Sequence, residues 1–269
     1  MRLPGTITIK RKRRHLKDVY KRQNTGSVFG HIFDFSAMAP VQKALLALAT
    51  CIFLTTMFAM IAGFFMARFK MHPFISTMAN MLIIFGLVTY ATKGVSFGAI
   101  DAAIPNIFIP QIGKFPTIIL WAAAAVFVVW FIWNKTTFGK NLYAVGGNPE
   151  AAAVSGISVF KVTMGAFILA GILYGCGSWL ECNRMIGSGS AAYGQGWDMD
   201  AIAACVVGGV SFTGGIGKIS GVVTGVLIFT SLTYSLTILG IDTNLQFIFE
   251  GIIILAAVTL DCLKYVQKK

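Results

Sequence analysis

Residues 42–66 read "QKALLALATCIFLTTMFAMIAGFFM", and after Lys43 no charged side chain interrupts the chain until Arg68. The hydrocarbon core of a bilayer is about 30 Å thick and takes roughly 20 apolar residues as an α-helix. The stretch is long enough to cross it, and in lipid a helix satisfies every backbone N–H and C=O within its own segment. Runs of the same kind follow at 74–91, 116–133, 159–180, 219–239 and 246–262. A shorter, glycine-rich run, "AIAACVVGGVSF" at 201–212, is predicted to be a broken or tilted element where neighbouring protein covers its backbone. The expected fold class is all-α, a polytopic transmembrane helical bundle with about 6 to 7 membrane crossings.

Composition supports this. Of 269 residues, 56% are hydrophobic and 12% charged, and the mean hydropathy of +0.76 excludes an ordinary soluble domain. The net charge of +12 invites a nucleic-acid reading, but nine of the 22 Lys and Arg residues lie in the first 22 positions. The rest of the chain holds 13 basic and 9 acidic residues, an ordinary balance, and no nucleic-acid partner is expected. The five cysteines, Cys51, Cys176, Cys182, Cys205 and Cys262, show no CxxC or His-paired spacing. They are read as small apolar residues, with no disulfide framework and no metal site.

Lys and Arg are retained on the cytoplasmic side of membrane proteins. With seven alternating crossings, Arg68, Lys70, Lys135, Lys140, Lys161, Lys218, Lys264, Lys268 and Lys269 share one face, which places the carboxyl terminus in the cytoplasm. The opposite face takes Lys43, Lys93, Lys114 and Arg184, with the acids Asp34, Asp101, Glu181, Asp198, Asp200 and Asp242. The same alternation puts the basic amino-terminal segment outside, against the rule. Residues 1–23, with "RRHLKDVYKRQ", are accordingly expected to be non-native, and 24–269 to be a single transmembrane domain truncated upstream.

The most sharply punctuated polar stretch is "GGNPEAAAVSG" at 146–156, inside a loop at 134–158 on the cytoplasmic face. Asn148 is a good N-cap, Pro149 suits the first helical position, and Glu150 sits where the helix dipole favours a negative charge. Alanines carry the helix and Gly156 can end it in a left-handed conformation. The expected product is a rod of roughly 10 Å with a smooth alanine face, suited to a groove of another protein or to lying on the membrane.

Glu150, Ala151, Ala152 and Gly156 match the EAA-x3-G signature of ABC importer permeases. Further matching phrases are "FGKNLYAVGGNPEAAAVSGI" (138–157), "DAIAACVVGGVSFTGGIGKISGVVTGVLIF" (200–229), "HPFISTMANMLIIFGL" (72–87) and the closing "DCLKYVQKK". From about Phe35 onward the chain resembles the permease subunits of the ribose, xylose and galactose branch of ABC sugar importers, nearest the galactose/methyl-galactoside type. The resemblance implies a coupling helix formed by Asn148, Pro149, Glu150, Ala151, Ala152 and Gly156 that docks on an ATPase subunit. It also implies a second permease copy, an external sugar-binding protein, and ATP and magnesium used by the partner rather than held by this chain. Relatives carry about three further spans upstream, Glu at the position of Asp198, and often Lys at the position of Glu250.

Several tempting sites fail on their spacing. "GGIGKIS" at 214–220 is not a P-loop, because the template needs Gly where Phe212 stands and Ser or Thr where Ile219 stands. His15, His31 and His72 lie in no span centre and form no Ser/His or HExxH arrangement, so intramembrane proteolysis is not expected. The i,i+2 pair Asp198 and Asp200 lacks the separation that glycoside hydrolysis requires.

Two groups remain. Gly208, Gly209, Gly214, Gly215, Gly217, Gly221 and Gly225 have the small-residue spacing that lets helix backbones approach, and they are read as packing or gating positions. Arg184, Trp197, Asp198 and Asp200, with Tyr193 and Gln195, form an external polar and aromatic concentration. It is either an interfacial belt or a contact for sugar or its delivery protein. The alternative to an ATP-driven importer is an ion-coupled carrier, resting on Glu250 and the interrupted segment at 201–215. A structural membrane subunit is the third class.

Overall fold

The computed structural model of the protein describes residues 39–95, 107–112, 115–185, 189–190, 192–211 and 214–266. The expectations for the amino-terminal basic segment lie outside these residues. The elements are α1 (Pro40–Phe69), α2 (Pro73–Thr92), strands β1 (Gln111–Ile112) and β2 (Phe115–Pro116), then α3 (Ile118–Lys135), α4 (Thr137–Gly147) and α5 (Pro149–Val154). They continue with α6 (Val159–Arg184), α7 (Trp197–Val207), α8 (Ile219–Ile238) and α9 (Thr243–Val266). The two strands form an antiparallel ladder pairing Gln111 with Pro116 and Ile112 with Phe115.

Among the described residues, α1, α2, α3, α6 and α8 are long and apolar enough to cross a membrane. The 24-residue α9 has the length for a sixth crossing. The predicted short crossing is the 11-residue α7, which starts four residues earlier than the apolar run and stops at Gly208. Proteins in lipid have no water to satisfy stray hydroxyls, and several in these spans bond within their own helix: Thr50, Thr77, Thr224, Ser235 and Thr259 each donate to the carbonyl four residues back. α3 buries none of its side chains within the chain, so its apolar surface faces lipid or another protein.

The chain divides into two compact units, to each of which α1, α2 and α6 contribute. The first contains Met1–Phe58, Met78–Ile118 and Gly171–Tyr193. Its centre is Trp179, 4% exposed, whose Nε1 donates to the Ala44 carbonyl at 3.1 Å while Phe108 packs edge-on against the ring at 5.1 Å. Close by, α1 and α6 touch through backbone: a Cβ on Gly175 would stand 2.5 Å from the Ile52 Cα. The Thr55 hydroxyl donates across that contact to the Gly171 carbonyl at 2.8 Å.

The second unit contains Ala59–Thr77, Ile119–Ala170 and Gly194–Lys269. Its core joins Ala203 and Ala204 of α7 to Phe229 of α8, with Ile253 of α9 against them. Small residues on α7 let α8 come to backbone contact. A Cβ on Gly225 would meet the Ala204 carbonyl oxygen at 2.1 Å, and one on Gly208 would meet that of Gly221 at 2.3 Å.

The loop expected to hold one helix holds two. α4 runs for 11 residues ahead of α5. Gly139 permits the sharp corner after α3, since a Cβ there would fall 2.1 Å from the Trp133 carbonyl oxygen. Thr136 caps α4 by accepting from the Gly139 N–H at 3.3 Å.

Candidate functional site

The punctuation of residues 146–156 becomes geometry as expected. Asn148 Oδ1 accepts from the N–H groups of both Glu150 and Ala151 at 3.0 Å, and Pro149 occupies the first turn. At the other end Gly156 has φ +81°, with its N–H on the Ala153 carbonyl and the Ile157 N–H on the Ala152 carbonyl, both at 3.0 Å. These reversed bonds satisfy the carbonyls a helix end leaves orphaned. A six-residue helix has little intrinsic stability, so capping at both ends is what holds it in shape.

What α5 presents differs from a smooth alanine face. Ala152 is buried at 4% exposure, whereas Glu150, Ala151, Ala153 and Val154 point outward. Val154 is 91% exposed, an apolar side chain standing in the open at the end of a rigid helix.

α5 is joined to α4 without a linker. Asn148 ends α4 by donating its N–H to the Ala144 carbonyl at 3.1 Å and starts α5 with its side chain. In sequence α4 looks like loop because of Gly139, Gly146 and Gly147, and the Thr136 cap is its legible helix signal.

The glycines divide by role. Gly208, Gly221 and Gly225 are the close-packing positions of α7 and α8. Gly209 faces open space and is required instead by φ +82° in the turn after α7. Gly214 and Gly215 do not pack between α7 and α8 but lie against α4: a Cβ on Gly214 would meet the Gly146 carbonyl oxygen at 2.5 Å, and one on Gly215 the Gly147 Cα at 2.6 Å. Gly217 precedes α8, so the every-four-residues pattern with Gly221 and Gly225 breaks at the Lys218 cap. The Gly217 carbonyl instead accepts from the Tyr143 hydroxyl at 2.8 Å.

The polar and aromatic group around Arg184 and Trp197 falls into two arrangements, one in each unit. In the first unit Arg184 grips Glu181 through two guanidinium contacts, at 2.9 Å from Nε and 2.5 Å from a terminal nitrogen. Tyr193 donates to the same carboxylate at 2.6 Å. Hydrogen bonding to Glu181, with some burial, raises the Tyr193 hydroxyl above its ordinary value. In the second unit Asp198 and Asp200 occupy the first turn of α7, where the helix dipole favours them. Asp200 approaches Glu250 of α9. Trp197 opens the same helix and is half exposed.

Residues 25–258 match the family described as branched-chain amino acid transport system / permease component. Among curated proteins the chain is 50% identical over 257 residues to the galactose/methyl galactoside import permease protein MglC of Treponema pallidum, covering 92% of this chain and 48% of that protein. It is 43% identical over 243 residues to the protein of the same name from Escherichia coli, covering 87% of this chain and 71% of the relative. The L-arabinose transport system permease protein AraH of Escherichia coli is 36% identical over 206 residues, or 77% of this chain and 62% of that one. The chain thus spans about half the length of the Treponema relative. No solved structure matches. With most of its length matched by the family and its helices built to cross lipid, the chain is a multi-pass inner-membrane protein and belongs to the branched-chain amino acid transport system permease component family.

Proposed function

We propose that the chain is the membrane-spanning subunit of an ATP-driven ABC importer that carries galactose, methyl galactoside or a similar monosaccharide into the cytoplasm. The observation that carries this reading is the 50% identity over 257 residues to a galactose/methyl galactoside import permease. The capped α5 supports it, since an importer without a nucleotide site of its own needs a rigid element to receive force. In this reading α5 docks on the ATPase subunit through Glu150, Ala151 and Val154, with Asn148, Pro149 and Gly156 fixing its shape and Ala152 seating it. ATP and magnesium belong to that partner, a second permease copy completes the path, and an external sugar-binding protein delivers the sugar. In this reading the carboxyl terminus and α5 are cytoplasmic, which the Lys and Arg distribution supports.

The test is labelled-galactose uptake by cells that lack their own galactose permease and are supplied with the full-length protein and its ATPase. Copurification of the ATPase with wild type and with Glu150→Lys accompanies it. Uptake that needs the ATPase, and a monodisperse Glu150→Lys protein that loses the ATPase, are expected. Wild type that retains no ATPase refutes the docking role.

One observation favours a second reading, an ion-coupled carrier. Asp200 in the first turn of α7 and Glu250 of α9 bring two carboxyl groups together in the second unit, the kind of acidic pair an ion-coupled carrier uses. Uptake abolished by a protonophore but indifferent to the ATPase would select that reading.

A further inference from the structure

Between α5 and the closely packed pair α7 and α8 lies a contact made almost wholly of backbone. Gly146 and Gly147, the last residues of α4, meet Gly214 and Gly215 of the α7–α8 loop. No side chain cushions the meeting. A Cβ on Gly146 would stand 2.9 Å from the Gly215 N, and one on Gly215 would stand 2.8 Å from the Gly147 N. Gly214 and Gly215 hold φ +95° and +72°, left-handed values that leave them no side-chain replacement without strain. Three residues before Gly146, Tyr143 adds a directional bond, from its hydroxyl to the Gly217 carbonyl at 2.8 Å.

The loop on the far side is itself braced. The Ser211 N–H donates to the Ile216 carbonyl at 2.9 Å and the Gly214 N–H to the Ser211 carbonyl at 3.2 Å, with Ser211 7% exposed. From Gly217 only Lys218 separates the bond to Tyr143 from the first turn of α8. At the other end, Asn148 fuses α4 to α5. A displacement of α5 therefore has a stiff route: through Asn148 into α4, across the glycine contact and the Tyr143 bond, and into the start of α8. Backbone against backbone transmits displacement with little give, because neither side has rotamers to absorb it.

Resting on the reading of α5 as the ATPase-docking helix, we propose that Tyr143, Gly146 and Gly147 with Gly214, Gly215 and Gly217 form the mechanical joint that passes ATPase motion to the α7–α8 pair. These are positioning residues; none touches nucleotide. The joint predicts that loosening it separates ATP hydrolysis from sugar movement while leaving the ATPase docked.

The experiment uses the full-length protein purified with its ATPase, reconstituted in vesicles with the sugar-binding protein and labelled galactose. Three quantities are read for wild type, Tyr143→Phe, Gly146→Ala and the control Gly251→Ala, whose added methyl meets nothing within 4 Å. They are ATPase retained, ATP hydrolysed, and sugar taken up per ATP. Tyr143→Phe loses one hydroxyl and keeps the ring, so folding is retained; sugar per ATP is expected to fall about fivefold, the scale of one net hydrogen bond. Gly146→Ala is expected to fall further, and Gly251→Ala to match wild type. Taking the ratio to ATP hydrolysed removes any loss of folded complex, which a merely structural role would cause. Retained ATPase with sugar per ATP within twofold of wild type in Tyr143→Phe overturns the joint and leaves the docking role standing. A wild-type protein that retains no ATPase overturns the docking role, and the joint with it.

Discussion

Replacing Gly225 with alanine puts a methyl group where the Ala204 carbonyl oxygen already stands, 2.1 Å from the new Cβ, with the Gly208 N and Cα at 2.7 and 2.8 Å. All three obstacles are backbone atoms of α7 and its cap, so no rotamer change relieves them. Two effects oppose. Alanine is a better helix former than glycine by about 1 kcal/mol, which favours the variant. Restoring an ordinary contact requires α7 and α8 to part by roughly 1 Å, loosening Ala203, Ala204 and Phe229, the most buried apolar cluster of that unit; overpacking of this kind costs about 1–3 kcal/mol and more where backbone must move. We expect a net loss of about 2 kcal/mol, or a fall in Tm of roughly 4–8 °C on the scale of a chain this size. The assay is thermal loss of monodisperse protein in detergent, with Gly86→Ala beside it. The methyl in that control meets nothing within 4 Å, so it tests propensity without the clash. A Gly225→Ala protein as stable as wild type would refute the close-approach reading of α7 and α8.

Three further outcomes are expected. Asn148→Ala removes the acceptor shared by the Glu150 and Ala151 N–H groups and costs α5 about 1 kcal/mol; hydrogen exchange at Ala151 to Val154 should accelerate, and Asn148→Asp should restore protection. Trp179→Phe loses the indole bond to the Ala44 carbonyl, at about 1 kcal/mol, whereas Trp179→Ala opens a cavity costing about 3–5 kcal/mol; Tm in detergent should rank them wild type, Phe, Ala. Tyr193 titrates above an ordinary tyrosine because its neutral hydroxyl donates to Glu181. The contact is therefore fully present below pH of about 10 and lost as pH rises through the raised value. The ultraviolet difference spectrum of wild type against Tyr193→Phe should show the shift, and Glu181→Gln should reduce it.

What could be read from the chain alone was what depends on neighbours in sequence. The crossings follow from runs of apolar residues, because a spanning helix must satisfy its backbone within itself; the helix bounds differ from the apolar runs by a few residues. The ends of α5 were equally legible, since an Asn cap, a first-turn Pro and a left-handed Gly act within one or two turns. α4 escaped because its glycines mimic loop, and they are tolerated only where Gly139 turns against Trp133 and Gly146 and Gly147 meet the loop after α7.

Partner choice was the tertiary structure's decision. A row of glycines shows that backbones can approach but not which; only the folded chain assigns Gly208, Gly221 and Gly225 to helix packing and Gly214 and Gly215 to α4. The same holds for charge. Arg184 turns to Glu181 in its own helix, and Asp200 meets Glu250 fifty residues on. Local propensity and hydropathy act along the chain and are written in it, whereas contact between distant residues depends on how helices cross, and that geometry exists only once they have packed.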